Sequence, residues 1–291
     1  MVKDIDYAAP ASLTEASGLL SKNGARALAG GTDIIVQIRE NRRDAGLIVD
    51  LKSIPELNTL RFDAKDGLIL GAAVPCYRVA EHPDIRKWFP GFVEAASLIG
   101  GVQIQSRASV GGNLCNASPA ADSIPALIAL GASAVIATPD GKRKTVPVEQ
   151  FCTGPGRNVL GPGEVLVHLL LPAPMPNTGS AYLRFIPRNE MDIAVVGVGV
   201  ALTLDASRTT CRSARIALGA VGPTPLFASE ASQFLGGRQM TDSDIDQAAT
   251  LAQSAAKPIS DMRGSADYRR HLVGVLVKRT LRIALERAKG G

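Results

Sequence analysis

Aromatic residues are scarce in this 291-residue chain, at 4% of the total, and histidine occurs three times. So few aromatics argue against a stacking surface for nucleic acid bases, and no nucleic-acid partner is expected even though the net charge is +5 and basic residues are interspersed with acidic ones. The four cysteines (Cys76, Cys115, Cys152, Cys211) stand far apart with no C-x-x-C pair. A disulfide framework and a self-contained zinc or iron–sulfur site are therefore not expected, and the thiols read as small buried hydrophobes. His82, His168 and His271 are too scattered to suggest a metal centre, so no metal is assigned to the chain. No apolar run reaches the ~18 residues of a membrane span. The N-terminal Met1-Val2-Lys3-Asp4-Ile5-Asp6 lacks a signal-like apolar core. The expectation is a cytoplasmic protein without a transmembrane segment. No G-x-S-x-G, H-E-x-x-H or P-loop is present, so hydrolysis has no residues to carry it and no catalytic side chain is assigned.

What is present is a balance of 46% hydrophobic and 20% charged residues, which suits a folded interior. At ~150 residues per domain the length predicts two or three units. The first opens with Ser12 and Glu15 at capping-box spacing, followed by Leu13, Ala16, Leu19 and Leu20 on one helical face up to Gly24. A strand at 25–29, a tight Gly30-Gly31 turn, a short helix at 33–39 and a strand at 47–51 complete an alternating β-α-β-α-β unit.

After Pro55 the pattern changes. Apolar runs at 57–62 and 68–72 flank Asp63-Ala-Lys-Asp66-Gly67, which is hairpin chemistry. Helices are expected at 79–85, 92–99 and 123–130, a strand pair at 132–137 and 142–146, and a closing strand at 164–171. Three prolines within 172–176 then mark a linker. Beyond it come strands at 182–186, 194–204 and 214–221. A helix follows at 245–256, with Thr241 and Asp244 at cap spacing, and a long helix at 268–289 carries Leu272, Val275, Leu276, Leu281 and Leu285. The basic residues of that last helix (Arg269, Arg270, Lys278, Arg279, Arg282, Arg287) read as a solvated or subunit-facing side.

Two glycine-rich turns stand out. In the first, Leu28-Ala29-Gly30-Gly31-Thr32-Asp33-Ile34-Ile35, a strand runs into adjacent glycines before a helix. The backbone N–H groups can approach a bulky anion there, with the helix N-terminus adding partial positive charge. The second, Ala108-Ser109-Val110-Gly111-Gly112-Asn113-Leu114-Cys115-Asn116-Ala117-Ser118-Pro119, again sets glycines beside hydroxyl and amide groups. Either turn alone reads as an ordinary left-handed bend; a pair suits one dinucleotide gripped from two sides. Gly197-Val198-Gly199 lies inside an apolar strand, where close packing explains it better than a nucleotide fingerprint.

On the pair A-G-G-T-D at 29–33 and A-S-V-G-G-N at 108–113, helped by the segments 117–122 and 265–270, the chain resembles the FAD-binding medium subunits of the xanthine dehydrogenase and carbon monoxide dehydrogenase (molybdenum hydroxylase) family. The similarity runs over nearly the whole length. It implies an α+β protein: a vanillyl-alcohol-oxidase-like (PCMH-type) FAD-binding fold in two subdomains, 1–55 and 56–172, then a C-terminal sheet-and-helix-bundle domain at 178–291. It also implies that residues 28–35 hold the FAD diphosphate, with Ser109, Val110, Gly111, Gly112 and Asn113 closing from the second loop. Asp122 would accept a sugar or ribityl hydroxyl, Ile99 would pack by the flavin, Leu166 near the cofactor, and Arg184 would fill a position where a basic residue often sits. Asp122 also reads as the N-cap of the helix after it, Ile99 and Leu166 as plain core, and Arg184 as a surface or interface charge.

The implied function is electron transfer. FAD would collect electrons from a small [2Fe-2S] subunit, the molybdopterin cofactor would belong to a large subunit that oxidises the substrate, and the assembly would be a dimer of heterotrimers. An extra iron–sulfur cluster found after the second loop in some relatives has no room here, since 113–125 leads straight into a helix. A flavin-free scaffolding subunit and a free-standing FAD oxidoreductase are the competing readings.

Overall fold

Three sheets follow one another along the chain in the computed structural model, which describes residues 4–290; residues 1–3 and 291, at the outer ends of the expected units, lie outside it. The first sheet has three parallel strands, Asp6–Ala8, Leu47–Asp50 and Ala25–Leu28, with Leu47–Asp50 in the middle. Its crossovers are the helices Leu13–Leu20 and Ile34–Arg39. Ser12 caps the former by accepting from the Glu15 N–H at 3.2 Å. Glu15 reaches back one residue further than a capping box requires, to the Ala11 N–H.

The second sheet is antiparallel and five-stranded: Leu60–Asp63, Gly67–Gly71, Val165–Leu171, Ser133–Ala137 and Arg143–Pro147, with Val165–Leu171 central. The hairpin starts later than its apolar run, because Pro55 fixes φ at the head of a one-turn 3₁₀ helix, Pro55–Asn58, that buries Leu57. The helices expected at 79–85 and 92–99 form instead as Cys76–Glu81, Pro83–Trp88 and Pro90–Ala96. Pro83 and Pro90 each lack an N–H to continue a helix and so sit at the first position of a new one. The helix Ser123–Ala129 is buried along its whole length.

The third sheet, Thr178–Phe185, Val196–Leu204, Cys211–Gly219 and Leu226–Phe227, is antiparallel. Its strand Val196–Leu204 is buried at all nine residues because it is covered on both faces. The long helix Ala266–Lys289 packs against this strand, and so does Ser123–Ala129 of the preceding unit. A Cβ on Gly199 would lie 2.5 Å from the Pro125 carbonyl oxygen, so the glycine there serves close packing, as the sequence indicates. Helix Asp242–Ala255 begins with a full capping box between Thr241 and Asp244.

The last helix corrects one expectation. Arg269 is not on a solvated side: it is 4% exposed and donates to the carbonyls of Val195 (2.8 Å) and Ala220 (3.2 Å) and to Asp261 (2.6 Å). The helix's first turn faces strand-end carbonyls, and a guanidinium is the side chain long enough to satisfy several of them. Arg287 likewise turns inward, to Glu94 and, at 2.7 Å, to the Ser180 carbonyl. Arg279 and Arg282 are exposed as expected, and Arg270 is half-buried. Among the described residues, no helix is long and apolar enough to cross a membrane.

Candidate functional site

A cleft of about 690 Å³ opens where the first and second sheets meet, within the range of small-molecule and cofactor sites. Both glycine turns line it. From the first come Ala29, Gly30, Gly31, Thr32, Asp33 and Ile34; from the second, Ser109, Gly111, Gly112 and Asn113; and Ile99 and Leu166 join them. Leu28, Ile35, Val110, Asp122 and Arg184 do not line it. Leu28 and Val110 are buried in the walls behind their loops, and Ile35 faces outward at 40% exposure.

The loops are pressed together backbone to backbone. A Cβ on Gly30 would stand 2.1 Å from the Arg107 carbonyl oxygen, and one on Gly111 would stand 2.5 Å from the Ala72 Cα. Gly31 turns the chain at φ +79°. Among the described residues, the N–H groups of Gly30, Gly31, Thr32, Asp33 and Ile34 have no acceptor, so five consecutive donors sit at the mouth of a helix. In the second loop Ser109 Oγ caps the helix Val110–Asn116 by accepting from the Gly112 N–H at 3.0 Å. Asn113 Oδ1 accepts from Ser123 Oγ at 2.6 Å, which fixes the amide. One further bond ties the two helices, from Gln37 Nε2 to Asn116 Oδ1 at 2.9 Å.

Asp122 and Arg184 meet one layer behind Ile99. Arg184 Nη1 donates to Asp122 Oδ2 at 2.7 Å and to the Leu98 carbonyl at 3.2 Å, while Tyr182 Oη donates to Asp122 Oδ1 at 2.8 Å. Arg184 is thus no surface charge, and Asp122, although it occupies the N-cap position of helix Ser123–Ala129, makes no side-chain capping bond. Its backbone is already helical, and its carboxylate turns away from the helix's N–H groups toward these two stronger donors. Burial raises the Asp122 carboxyl by more than the Arg184 charge and the hydrogen bonds from Tyr182 and Arg184 lower it, which leaves it at about 6 against the ordinary 3.8. Burial, together with the neighbouring carboxylate, pushes the Tyr182 hydroxyl far above its usual range. Among the described residues, the buried Arg184 Nε has no hydrogen-bond partner.

The cleft also takes in Cys115 and Asn116 from the end of the second glycine-rich segment, and residues that sequence reasoning passed over: Gln37, Arg43, Asn158 and the turn Gly161-Pro162-Gly163. The Gly-Pro-Gly turn was a visible signal. It is held against the first helix by Ser17 Oγ, which donates to the Gly163 carbonyl at 2.7 Å. The others carry no local motif, and only the fold brings them in.

This donor set fits a dinucleotide such as FAD. A run of unpartnered N–H groups at a helix start suits a diphosphate, and apolar Ile99, Leu166, Leu51 and Leu57 offer cover for flat rings.

Comparison with known proteins agrees. A family model described as the FAD binding domain in molybdopterin dehydrogenase matches residues 3–174, and one described as the CO dehydrogenase flavoprotein C-terminal domain matches residues 181–284. The carbon monoxide dehydrogenase medium chain of Afipia carboxidovorans is 33% identical over 98% of this chain and 98% of its own. The putative xanthine dehydrogenase FAD-binding subunit of Escherichia coli (strain K12) is 31% identical over 98% and 97%. Among solved structures, carbon monoxide dehydrogenase from Hydrogenophaga pseudoflava superposes with a TM-score of 0.93 at 32% identity, covering 99% of each chain. A Cu,Mo-CO dehydrogenase superposes with a TM-score of 0.92 at 31% identity, covering 99% of this chain and all of the other.

Proposed function

The chain belongs to the family of FAD-binding subunits of the molybdopterin dehydrogenases, and from that premise we propose that it is the FAD-carrying electron-transfer subunit of a heteromeric molybdenum hydroxylase. The observation that carries the reading is the convergence of both glycine loops, with five unpartnered N–H groups, on one cleft. When bound, FAD supplies exchange of electrons in ones or twos, so it can link one-electron carriers to a two-electron acceptor.

The protein's own part is placement and shielding. Residues 28–35 present donors to the diphosphate, with Leu28 and Ile35 anchoring the loop from outside the cleft. Ser109, Gly111, Gly112 and Asn113 close from the opposite side, on the buried footing of Val110. Ile99 and Leu166 exclude water from the ring system. Asp122 keeps lone pairs beyond those used by Tyr182 and Arg184, and takes a sugar or ribityl hydroxyl. Arg184 contributes a buried positive charge at that end. No side chain of this chain acts as acid, base or nucleophile toward the organic substrate.

The remaining architecture is part of the same proposal. Subdomains 1–55 and 56–172 hold FAD between them, and 178–291 forms the C-terminal domain. A small [2Fe-2S] subunit delivers electrons and a large molybdopterin subunit oxidises the substrate, in a cytoplasmic dimer of heterotrimers. The test is to purify the chain with its co-expressed partners and denature the assembly. Release of stoichiometric FAD from a particle far larger than 30.4 kDa supports the reading. A flavin-free assembly would favour a scaffolding role, and a flavin-bearing lone chain a free-standing oxidoreductase.

A further inference from the structure

Three cationic side chains line the cleft: Lys22, Arg26 and Arg43. Lys22 is exposed. The Arg26 guanidinium is engaged with the carbonyls of Asp44 and Ala25, at 3.0 and 3.3 Å. Arg43 differs from both. It is half-buried, and among the described residues its guanidinium makes no hydrogen bond or ion pair. The chain places it deliberately. The turn after helix Ile34–Arg39 folds back so that the N–H groups of Arg42 and Arg43 both donate to the Gln37 carbonyl, at 2.8 and 3.2 Å. The guanidinium then lies across from the hairpin Cys152–Gly154 and Arg157–Asn158, where a Cβ on Gly156 would be 3.8 Å from Arg43 Nη2. The same turn stands beside the first glycine loop, since the Arg42 charge draws the Asp33 carboxyl back from the rise that burial imposes.

A guanidinium withdrawn from water without an acceptor is unfavourable unless something else supplies negative charge. The other polar groups along that wall, Gln37, Asn116 and Asn158, are neutral amides already committed to one another or to backbone. Of the two carboxylates lining the cleft, Glu164 is paired with Lys144 and Asp33 feels the charge of Arg42, neither makes a hydrogen bond or ion pair with Arg43, and FAD carries its negative charge on one group, the diphosphate. A planar guanidinium fork matches phosphate oxygens two at a time, which an ammonium does not.

We propose that Arg43 is the fixed cation that meets the diphosphate of FAD, opposite the uncharged backbone donors of the two glycine loops. The proposal rests on the flavoprotein reading above and adds the residue that balances the cofactor's charge. It makes Arg43 a determinant of selectivity for FAD over flavins without a diphosphate.

The test uses the assembled complex, stripped of flavin and titrated by fluorescence with FAD, with ADP and with riboflavin. Arg43→Gln is expected to weaken FAD and ADP alike by about 10- to 100-fold. Riboflavin binding should stay as in the wild type, and the salt dependence of FAD binding should become shallower. Arg43→Lys, which keeps the charge without the fork, should fall between. Unchanged FAD and ADP affinity in Arg43→Gln overturns the proposal while leaving the flavoprotein reading intact. Equal weakening of riboflavin also overturns it, since the side chain would then be holding the cleft's shape. A wild-type complex that takes up no FAD overturns the flavoprotein reading itself, and this proposal with it.

Discussion

Gly30 faces the carbonyl of Arg107 so closely that a Cβ would stand 2.1 Å from that oxygen. Neither partner is the tip of a flexible side chain, so a methyl group there must move backbone. Gly30→Ala should separate the two glycine loops and destabilise the chain by about 1–3 kcal/mol. Flavin content of the purified complex should fall with it. Thermal melting and flavin released on denaturation check the two effects; full flavin content at wild-type stability would mean that the loops are not held together at Gly30.

Asp122 gives a pH signature. Its carboxyl titrates at about 6 in the fold against 3.8 in the ordinary case, because burial outweighs the help from Arg184 and Tyr182. A raised value means that the fold favours the protonated form. The stabilisation from this group is fully present below about 4 and is lost as pH rises through about 6. Asp122→Asn cannot titrate, so its stability relative to wild type should improve between those limits, by of order 2–3 kcal/mol. Denaturant unfolding of both proteins across pH 4–8 (a range of roughly two units either side of 6) checks it. A constant difference would show that Arg184 holds Asp122 ionised throughout.

Arg269 and Arg270 are adjacent in sequence and opposite in role. Arg269 is buried on Asp261 and two carbonyls, whereas Arg270 pairs with the exposed Asp267 at 2.9 Å. Arg269→Ala should cost about 2–4 kcal/mol, since it leaves buried acceptors unpaired. Arg270→Ala should stay within about 0.5 kcal/mol. Parallel denaturation curves separate them, and equal effects would contradict the burial assigned to Arg269.

Much of this was legible in local sequence because the signals are local physics. Ser12 and Thr241 announce helix starts through caps, Gly30-Gly31 announces a turn, and Gly111, expected in a turn, sits instead in the first turn of the helix Val110–Asn116 where a Cβ would meet the Ala72 backbone. What escaped is non-local. Arg43 and Asn158 enter the cleft only because a turn and a hairpin converge on it. Arg269 reads as one more basic residue on an amphipathic helix until the strand-end carbonyls beneath it are known. The apolar periodicity at 79–85 runs through Pro83, which in the structure separates two short helices by starting the second.

Amide hydrogen exchange on the assembled complex, with and without FAD, bears most directly on the joint grip of the two loops. The N–H groups of residues 30–34 have no partner among the described residues. They should exchange fast in the flavin-free complex and slow on FAD addition, together with the start of the helix Val110–Asn116. Slowing at both segments at the same FAD concentration is the predicted result; slowing at one alone, or at neither, would contradict it.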